Sequence, residues 1–442
     1  MFKPYERYKP SGVEWLSNVP EHWWVTRLKM AVQLTDRKVA ADEEHPAPYI
    51  GMENIESRTG RLLPINPDVI PTGTANAFKA GNTLFGKLRP YLAKVCNPDF
   101  DGLCSTELLV LKSADINRRV LLYSLLCDGF IKLVDSSTYG SKMPRASWEF
   151  VGDCVVPIAP PNEQRTIADF LDRETAKIDT LVAKKRTLIE RLKEKRTALI
   201  SRTVTRGLPP DAARSVGLDP YPKLKPSGID WLGDVPEHWG VKPLGYLVRF
   251  QGGGTPDKGK SEYWDGDIPW VSPKDMKRPR IADAEDHISV DGLENSPLSM
   301  VPVGAVLVVV RGMILAHSFP VAMSEVTLTI NQDMKALVCC QRILPLFLYW
   351  VLVGLSRALV SLCEESAHGT RKLETATLAK FRLPIPQLNE QNAIADYLDQ
   401  ETEKIDQMIA KVEAAIERLQ EYRTALITAA VTGKIDVRGI AA

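Results

Sequence analysis

Gly254-Thr-Pro-Asp-Lys-Gly-Lys260-Ser261 fits the spacing G-x-x-x-x-G-K-[ST]. That spacing holds nucleotide phosphates when a strand leads into the loop and a helix follows at once, because loop N–H groups and the helix N-terminus then cradle the anion. Here Glu262-Tyr-Trp-Asp-Gly266-Asp-Ile-Pro269 follows, which does not read as a helix. The strand-like run Val306–Val310 ends on Arg311 and not on a carboxylate that could hold Mg²⁺. A P-loop nucleotide-binding enzyme is therefore an alternative and not the main reading. Asn97-Pro-Asp-Phe100 is one residue from the N-P-P-[FY] tetrapeptide of amino-methyltransferases, but no F-x-G-x-G turn accompanies it, so it reads as a plain turn. The six histidines form no ligand-spaced cluster, and seven cysteines without a C-x-x-C pair point to free thiols. We assign no catalytic residue, no metal site and no cofactor to this chain.

Basic residues beside aromatics are the remaining candidates. Lys87, Arg89 and Tyr91 form one group, and Lys142 and Arg145 follow Gly140. Further along come Lys274, Lys277 and Arg278, then Arg311, then Arg371 and Lys372 after Gly369. Such residues on loops suit phosphate contact and base-edge readout in DNA. The two post-helix loops, at Gly140 and Gly369, stand at parallel places in the chain.

The elements that position these residues repeat. KPSGVEWLSNVPEHW at Lys9–Trp23 returns as KPSGIDWLGDVPEHW at Lys225–Trp239, with about 11 of 15 positions identical. Asn162–Thr205 returns as Asn389–Thr432 with roughly 27 of 44 identical. The chain is a tandem duplication whose frame is kept while two inserts have diverged. In the first insert Thr83–Phe85 and Leu108–Leu111 read as strands and Val120–Leu126 as a helix. In the second, Val306–Val310 and Lys335–Val338 read as strands, and a helix runs from Leu346 through Val353 toward Leu362.

The second repeated segment lacks Gly and Pro from Asn162 to Thr203 and is rich in helix formers. Alternating three- and four-residue steps predict a coiled-coil seam through Leu171, Ile178, Leu188, Leu192, Lys195 and Leu199. The second copy supplies Leu398, Glu401, Ile405, Met408, Leu419 and Leu426. The first helix has 12 basic and 7 acidic residues over 162–206, and the second has 5 and 9 over 389–434. Opposite net charge favours pairing of one with the other. A parallel alignment would bury Glu174 against Glu401. The antiparallel one matches the apolar layers and places Lys195 near Glu401, within about one heptad.

The chain has 442 residues, 44% of them hydrophobic and 25% charged, with net charge +1. That is ordinary globular composition and excludes a disordered, collagen-like or membrane-bundle chain. No apolar run approaches the ~20 residues that span a bilayer, and the start MFKPYERYKP has no signal-like apolar stretch, so we expect a cytoplasmic protein with no membrane partner.

Taken together, the repeated S-G-[VI]-[ED]-W-L-x-x-V-P-E-H-W segment, the N-E-Q at each long-helix start and the G-x-T-P…Y-W-x-G-x-I-x-W pattern from Gly253 to Trp270 carry a resemblance. The chain resembles the specificity subunit of type I restriction-modification systems, over nearly its whole length. The G-x-T-P pattern, which contains the P-loop spacing, is largely absent from the first insert. The resemblance implies an α+β chain: two α/β target recognition domains on a tandem-repeat frame, separated by two long antiparallel coiled-coil helices. It sets the first target recognition domain at 1–160, the central helix at 161–206, the second domain at 207–387 and the C-terminal helix and tail at 388–442. It implies a non-catalytic reader of a bipartite, asymmetric site in double-stranded DNA. Partners would be two modification (methyltransferase) subunits, which bind S-adenosylmethionine and methylate adenine N6, and restriction (motor and nuclease) subunits. The other alternative is a purely structural coiled-coil adaptor.

Overall fold

The computed structural model describes residues 3–35, 37–40, 47–66, 73–140, 142–365 and 369–439. Two helices dominate it. The first spans Pro161–Arg206 and the second Leu388–Val431. Both begin directly after proline-rich strands, and the first stops at Gly207 while the second stops just before Gly433. Both glycines adopt positive φ, the left-handed backbone that ends helices. The chain divides into two compact units, Met1–Arg186 with Val412–Ala442 and Thr187–Lys411, so each unit takes a portion of both helices.

In the first unit, strand Trp24–Arg27 leads out of the repeated segment and pairs antiparallel with Val155–Ile158, which leads into the long helix. This two-stranded neck carries the first insert. One four-stranded sheet orders Lys38–Ala40, Thr74–Phe78, Gly102–Cys104 and Tyr49–Ile50, and a second orders Val32–Leu34, Leu108–Ser113, Thr83–Gly86 and Val95–Cys96. Helices Arg118–Leu126 and Asp128–Ser136 cover the second sheet's core residues Phe85, Leu109 and Leu111. The expected strands at Thr83–Phe85 and Leu108–Leu111 and the helix at Val120–Leu126 are all present.

The second unit repeats the plan with different sheets. Gly240–Pro243 pairs with Arg382–Ile385 as its neck. A five-stranded sheet orders Val248–Gly252, Met334–Cys339, Val306–Val309, Val321–Ser324 and Arg280–Ile281. Its central strand Val306–Val309 is completely buried, as an unbroken β-branched and leucine run requires. The helix expected from Leu346 toward Leu362 forms as two pieces, Pro345–Gly354 and Ser356–Val360. Gly354 sits at the break, where a Cβ would stand 2.8 Å from Val204 of the long helix, so this close approach needs glycine.

All seven cysteines are free thiols. Burial pushes Cys96 and Cys104 up to about 12, which makes them inert packing groups. Among the described residues no helix is long and apolar enough to cross a membrane.

Candidate nucleic-acid interface

The basic groups that lie far apart in the sequence meet in pairs. In the second domain Arg311–Gly312 pairs antiparallel with Arg371–Lys372, so Arg311 faces Lys372 across a small ribbon whose third strand is Glu364–Glu365. In the first domain Arg145 forms bridges to both Leu88 and Tyr139, which sets it between Lys87 and Arg89 on one side and the Gly140 loop on the other. Each post-helix loop thus folds back on the end of a central strand. The chain reversal is anchored by backbone bonds from Lys87 N to Glu107 O and from Arg311 N to Asp333 O.

Carboxylates accompany these cations. Arg145 makes a forked pair with Glu107 at 3.0 Å, which raises its guanidinium pKa further. Arg311 lies 4.0 Å from Asp333, Arg371 3.3 Å from Glu365, and Lys372 contacts Glu374. Lys274 is held by Asp286 at 2.8 Å and Glu285 at 3.1 Å, and the hydrogen bond to Asp286 raises its pKa. Arg89, Tyr91, Lys142, Lys277 and Arg278 are exposed, and Lys87 is half-buried. Lys87, Tyr139, Arg145 and Trp148 share a half-open cleft of about 570 Å³. Lys274, Lys277 and Arg278 lie in a separate turn that precedes strand Arg280–Ile281.

The P-loop alternative fails on geometry. Strand Val248–Gly252 precedes the loop, but a single 3₁₀ turn at Ser261–Tyr263 and strand Trp264–Val271 follow it, so no helix N-terminus faces a phosphate. Lys260 instead donates to the Tyr263 hydroxyl at 3.0 Å and lies over its ring. The glycines serve packing: a Cβ on Gly253 would lie 1.9 Å from the Ile330 carbonyl oxygen. Trp270 donates its indole N–H to Gly254 O at 2.9 Å and meets Trp264 edge-on.

Residues 236–418 match the family described as Type I restriction modification DNA specificity domain. The chain is 33% identical over 183 residues to the EcoR124I/EcoR124II specificity subunit of Escherichia coli, a match spanning 41% of this chain and 44% of that one. It is 22% identical over 450 residues to the MjaVIII specificity subunit of Methanocaldococcus jannaschii, covering 96% and 95%. A solved chain from work on complex assembly and conformational transition of the type I R-M system superposes with a TM-score of 0.68 at 20% identity, covering 94% of this chain and 99% of that one, which shows the same fold. Residues 236–418 thus resemble a type I restriction-modification DNA specificity domain, and the matches to the first curated relatives span less than half of those proteins' length.

The repeated motifs of this chain now have structural reasons. In N-E-Q, the glutamate grips the preceding repeat. Glu163 accepts from Trp23 Nε1 at 3.0 Å and Tyr5 Oη at 3.1 Å, and shares a 2.7 Å hydrogen bond with His22. Glu390 does the same with Trp239 at 3.0 Å and His238 at 2.9 Å. The two histidines of the repeated V-P-E-H-W segment are therefore structural. The glutamine grips the insert. Gln164 accepts from Asn117 N and Gln391 from Leu344 N, each the residue that caps the insert's helix, and each amide donates back to two carbonyls. One dipeptide thus ties the long helix to both its neighbours. Sequence reading treated it only as a helix start, although its exact recurrence was the available signal.

The helix seam of the repeated frame is antiparallel but shifted. Leu171, Ile178, Leu398, Ile405 and Leu426 are buried, and Leu192, Leu199 and Leu419 are partly buried. Leu188 and Met408 are instead exposed, at 43% and 42%. The intervening seam positions fall one residue later, at Thr175, Val182, Ile189 and Arg196 and at Thr402, Ile416 and Arg423. Leucine is thus displaced by β-branched residues and by polar groups with partners. Thr175 and Thr402 bury because their hydroxyls donate to Leu171 O and Leu398 O. The expected Lys195–Glu401 contact does not form: Lys195 is exposed and Glu401 pairs with Lys404 at 2.6 Å in its own helix. The cross-helix pairs are Asp179 with Arg423 at 3.0 Å in one unit and Arg196 with Asp406 at 2.9 Å in the other. Asp179 and Asp406 are the same position of the repeat, as are Arg196 and Arg423, so one pair occurs twice with the copies exchanged.

Proposed function

We propose that this chain is the DNA-reading subunit of a type I restriction-modification complex and carries no catalysis of its own. Each target recognition domain reads one half of a bipartite, asymmetric site in double-stranded DNA, and the paired helices set the distance between the halves. The helices also dock two modification subunits, which bring S-adenosylmethionine and methylate adenine N6, and restriction subunits join for cleavage in the cytoplasm. The chosen adenine would be flipped into the partner, where the chemistry lies.

The observation that carries this reading is the matched placement of the basic ribbons. Two domains whose sheets have diverged both fold a post-helix loop onto a central strand, and both gather cations there. Lys87, Arg89, Lys142 and Arg145 form one set, and Arg311, Arg371 and Lys372 the other. Phosphate contacts would hold the domain on the duplex while side chains at base edges select the sequence. Near-neutral domains suffice for this, because partner subunits can supply much of the phosphate attraction.

Genome-wide mapping of N6-methyladenine, with the gene present and deleted, tests the proposal. One bipartite methylated motif should vanish on deletion and return on complementation. An unchanged methylation map in a strain that expresses the partner subunits would refute it.

A further inference from the structure

The two exchanged ion pairs differ in what lies over them. In the first unit Arg423 is buried, with 7% of its side chain exposed. Beyond its bonds to Asp179 it donates Nη1 to Arg58 O at 2.9 Å and Nη2 to Thr59 O at 2.8 Å. Those carbonyls belong to a turn of the first target domain, closed by a bridge between Ile55 and Leu62. Arg58 and Gly60 both adopt left-handed backbone in it. A Cβ on Gly60 would stand 3.1 Å from Leu122 and 3.3 Å from Leu126, so the turn seats its glycine tip on the target-domain helix. The duplicated arginine therefore acts here as a clamp on a polypeptide turn.

In the second unit the same arginine is uncovered. Arg196 bonds Asp406 through Nε, its side chain is 29% exposed, its guanidinium lies 6.0 Å from the centre of the Trp350 ring, and its Nη groups make no hydrogen bond among the described residues. A pocket of about 520 Å³ opens beside it, within the size range of ordinary ligand sites. Part of its wall repeats the occupied site, with Arg196 and Asp406 standing for Arg423 and Asp179. Ala410 stands for Ala183, and Trp350, bonded to Asp399 at 2.8 Å, stands for Tyr123, bonded to Asp172. Met323 and Tyr349 add apolar surface. Asp399, Glu403 and Asp406 outnumber Arg196 and Arg280 around it.

We propose that this pocket docks a turn of a partner polypeptide. The turn presents two successive main-chain carbonyls to Arg196, carries glycine at its tip and has a basic residue beside it. The occupied counterpart supplies the first two features, and the surplus of carboxylates supplies the third. The proposal concerns a protein partner and stands apart from DNA reading.

A fluorescein-labelled, disulfide-closed peptide copying residues 54–63 is the probe, titrated by anisotropy against the full-length chain. Saturable binding is expected. Arg196→Ala should weaken it about tenfold or more through loss of two charge-assisted hydrogen bonds. Arg196→Lys should also weaken it, since a lysine cannot reproduce the fork. Ala410→Trp, which fills the pocket from a helix position that keeps its backbone, should abolish it. Absence of saturable binding to the wild type would overturn the proposal. So would binding that ignores Arg196→Ala and Ala410→Trp, or that is lost with Arg423→Ala alone, because the peptide would then be competing for the turn's own seat.

Discussion

Glu163 is 5% exposed and receives hydrogen bonds from groups that are themselves largely buried, Trp23 and Tyr5. Truncating it leaves an indole N–H and a hydroxyl without an acceptor, so Glu163→Ala should cost ~2–4 kcal/mol in chemical denaturation. Glu390→Ala should cost less, because Arg438 and Tyr5 reach only Glu163. Nearby, Arg438 donates to Asp436 at 2.7 Å and holds that carboxyl below the usual aspartate range. A lowered folded-state pKa means stability that is present above the unfolded value of ~3.9 and is lost as pH falls through the folded one. Asp436→Asn should therefore lower the melting temperature at pH 7 and at pH 5, with the gap to wild type closing below about pH 4. Much of this was legible: the repeated Glu, His and Trp announce a shared role. Their mutual contact was not, because about 140 residues separate Trp23 from Glu163 and only the folded neck brings them together.

At the scale of elements, length, boundaries and sense of the long helices follow from composition and charge. The seam does not, because a heptad read from leucines alone fits two frames that share every second position. Leu188 and Ile189 are adjacent and both apolar, and only packing decides between them. Ile189 is 7% exposed and Leu188 43%, so Ile189→Ala should cost ~2–4 kcal/mol and Leu188→Ala under ~1 kcal/mol. Equal costs would restore the leucine frame. The exchanged ion pairs give a second contrast. Arg423→Ala strands a half-buried Asp179 and two carbonyls, and should cost ~3 kcal/mol. Arg196→Ala removes a more exposed pair and should cost ~1 kcal/mol or less. The basic ribbons show the same limit. Each cluster was visible in the sequence, but the pairing of Arg311 with Lys372 spans some 60 residues and needed the sheet to reveal it.

For the whole molecule, the necks decide where one insert ends and the frame begins. Trp24–Arg27 and Val155–Ile158 zip antiparallel from Trp24 opposite Ile158 to Arg27 opposite Val155, and the second neck runs from Gly240 opposite Ile385 to Pro243 opposite Arg382. Both strands of a neck must come from one parent, because a mismatched pair loses its cross-strand side-chain contacts. A graft that replaced residues 24–157 would cut the ribbon unevenly, keeping Ile158 while discarding its partner Trp24. The physical boundary lies inside the necks, at residues 28–154 and 244–381. Gln164 must still find a helix start to cap, so the donor domain must keep the backbone that Asn117 presents to it. With those conditions met, replacing residues 28–154 by the corresponding segment of another family member should change one half of the methylated motif and leave the other half and the protein's melting temperature close to wild type. Methylation mapping of cells carrying the hybrid reads the first, and thermal denaturation of the purified hybrid reads the second. A stable hybrid that altered both halves would show that the two domains do not read independently. A hybrid cut at 24–157 should retain the specificity change but melt lower, since its neck would join strands from two parents.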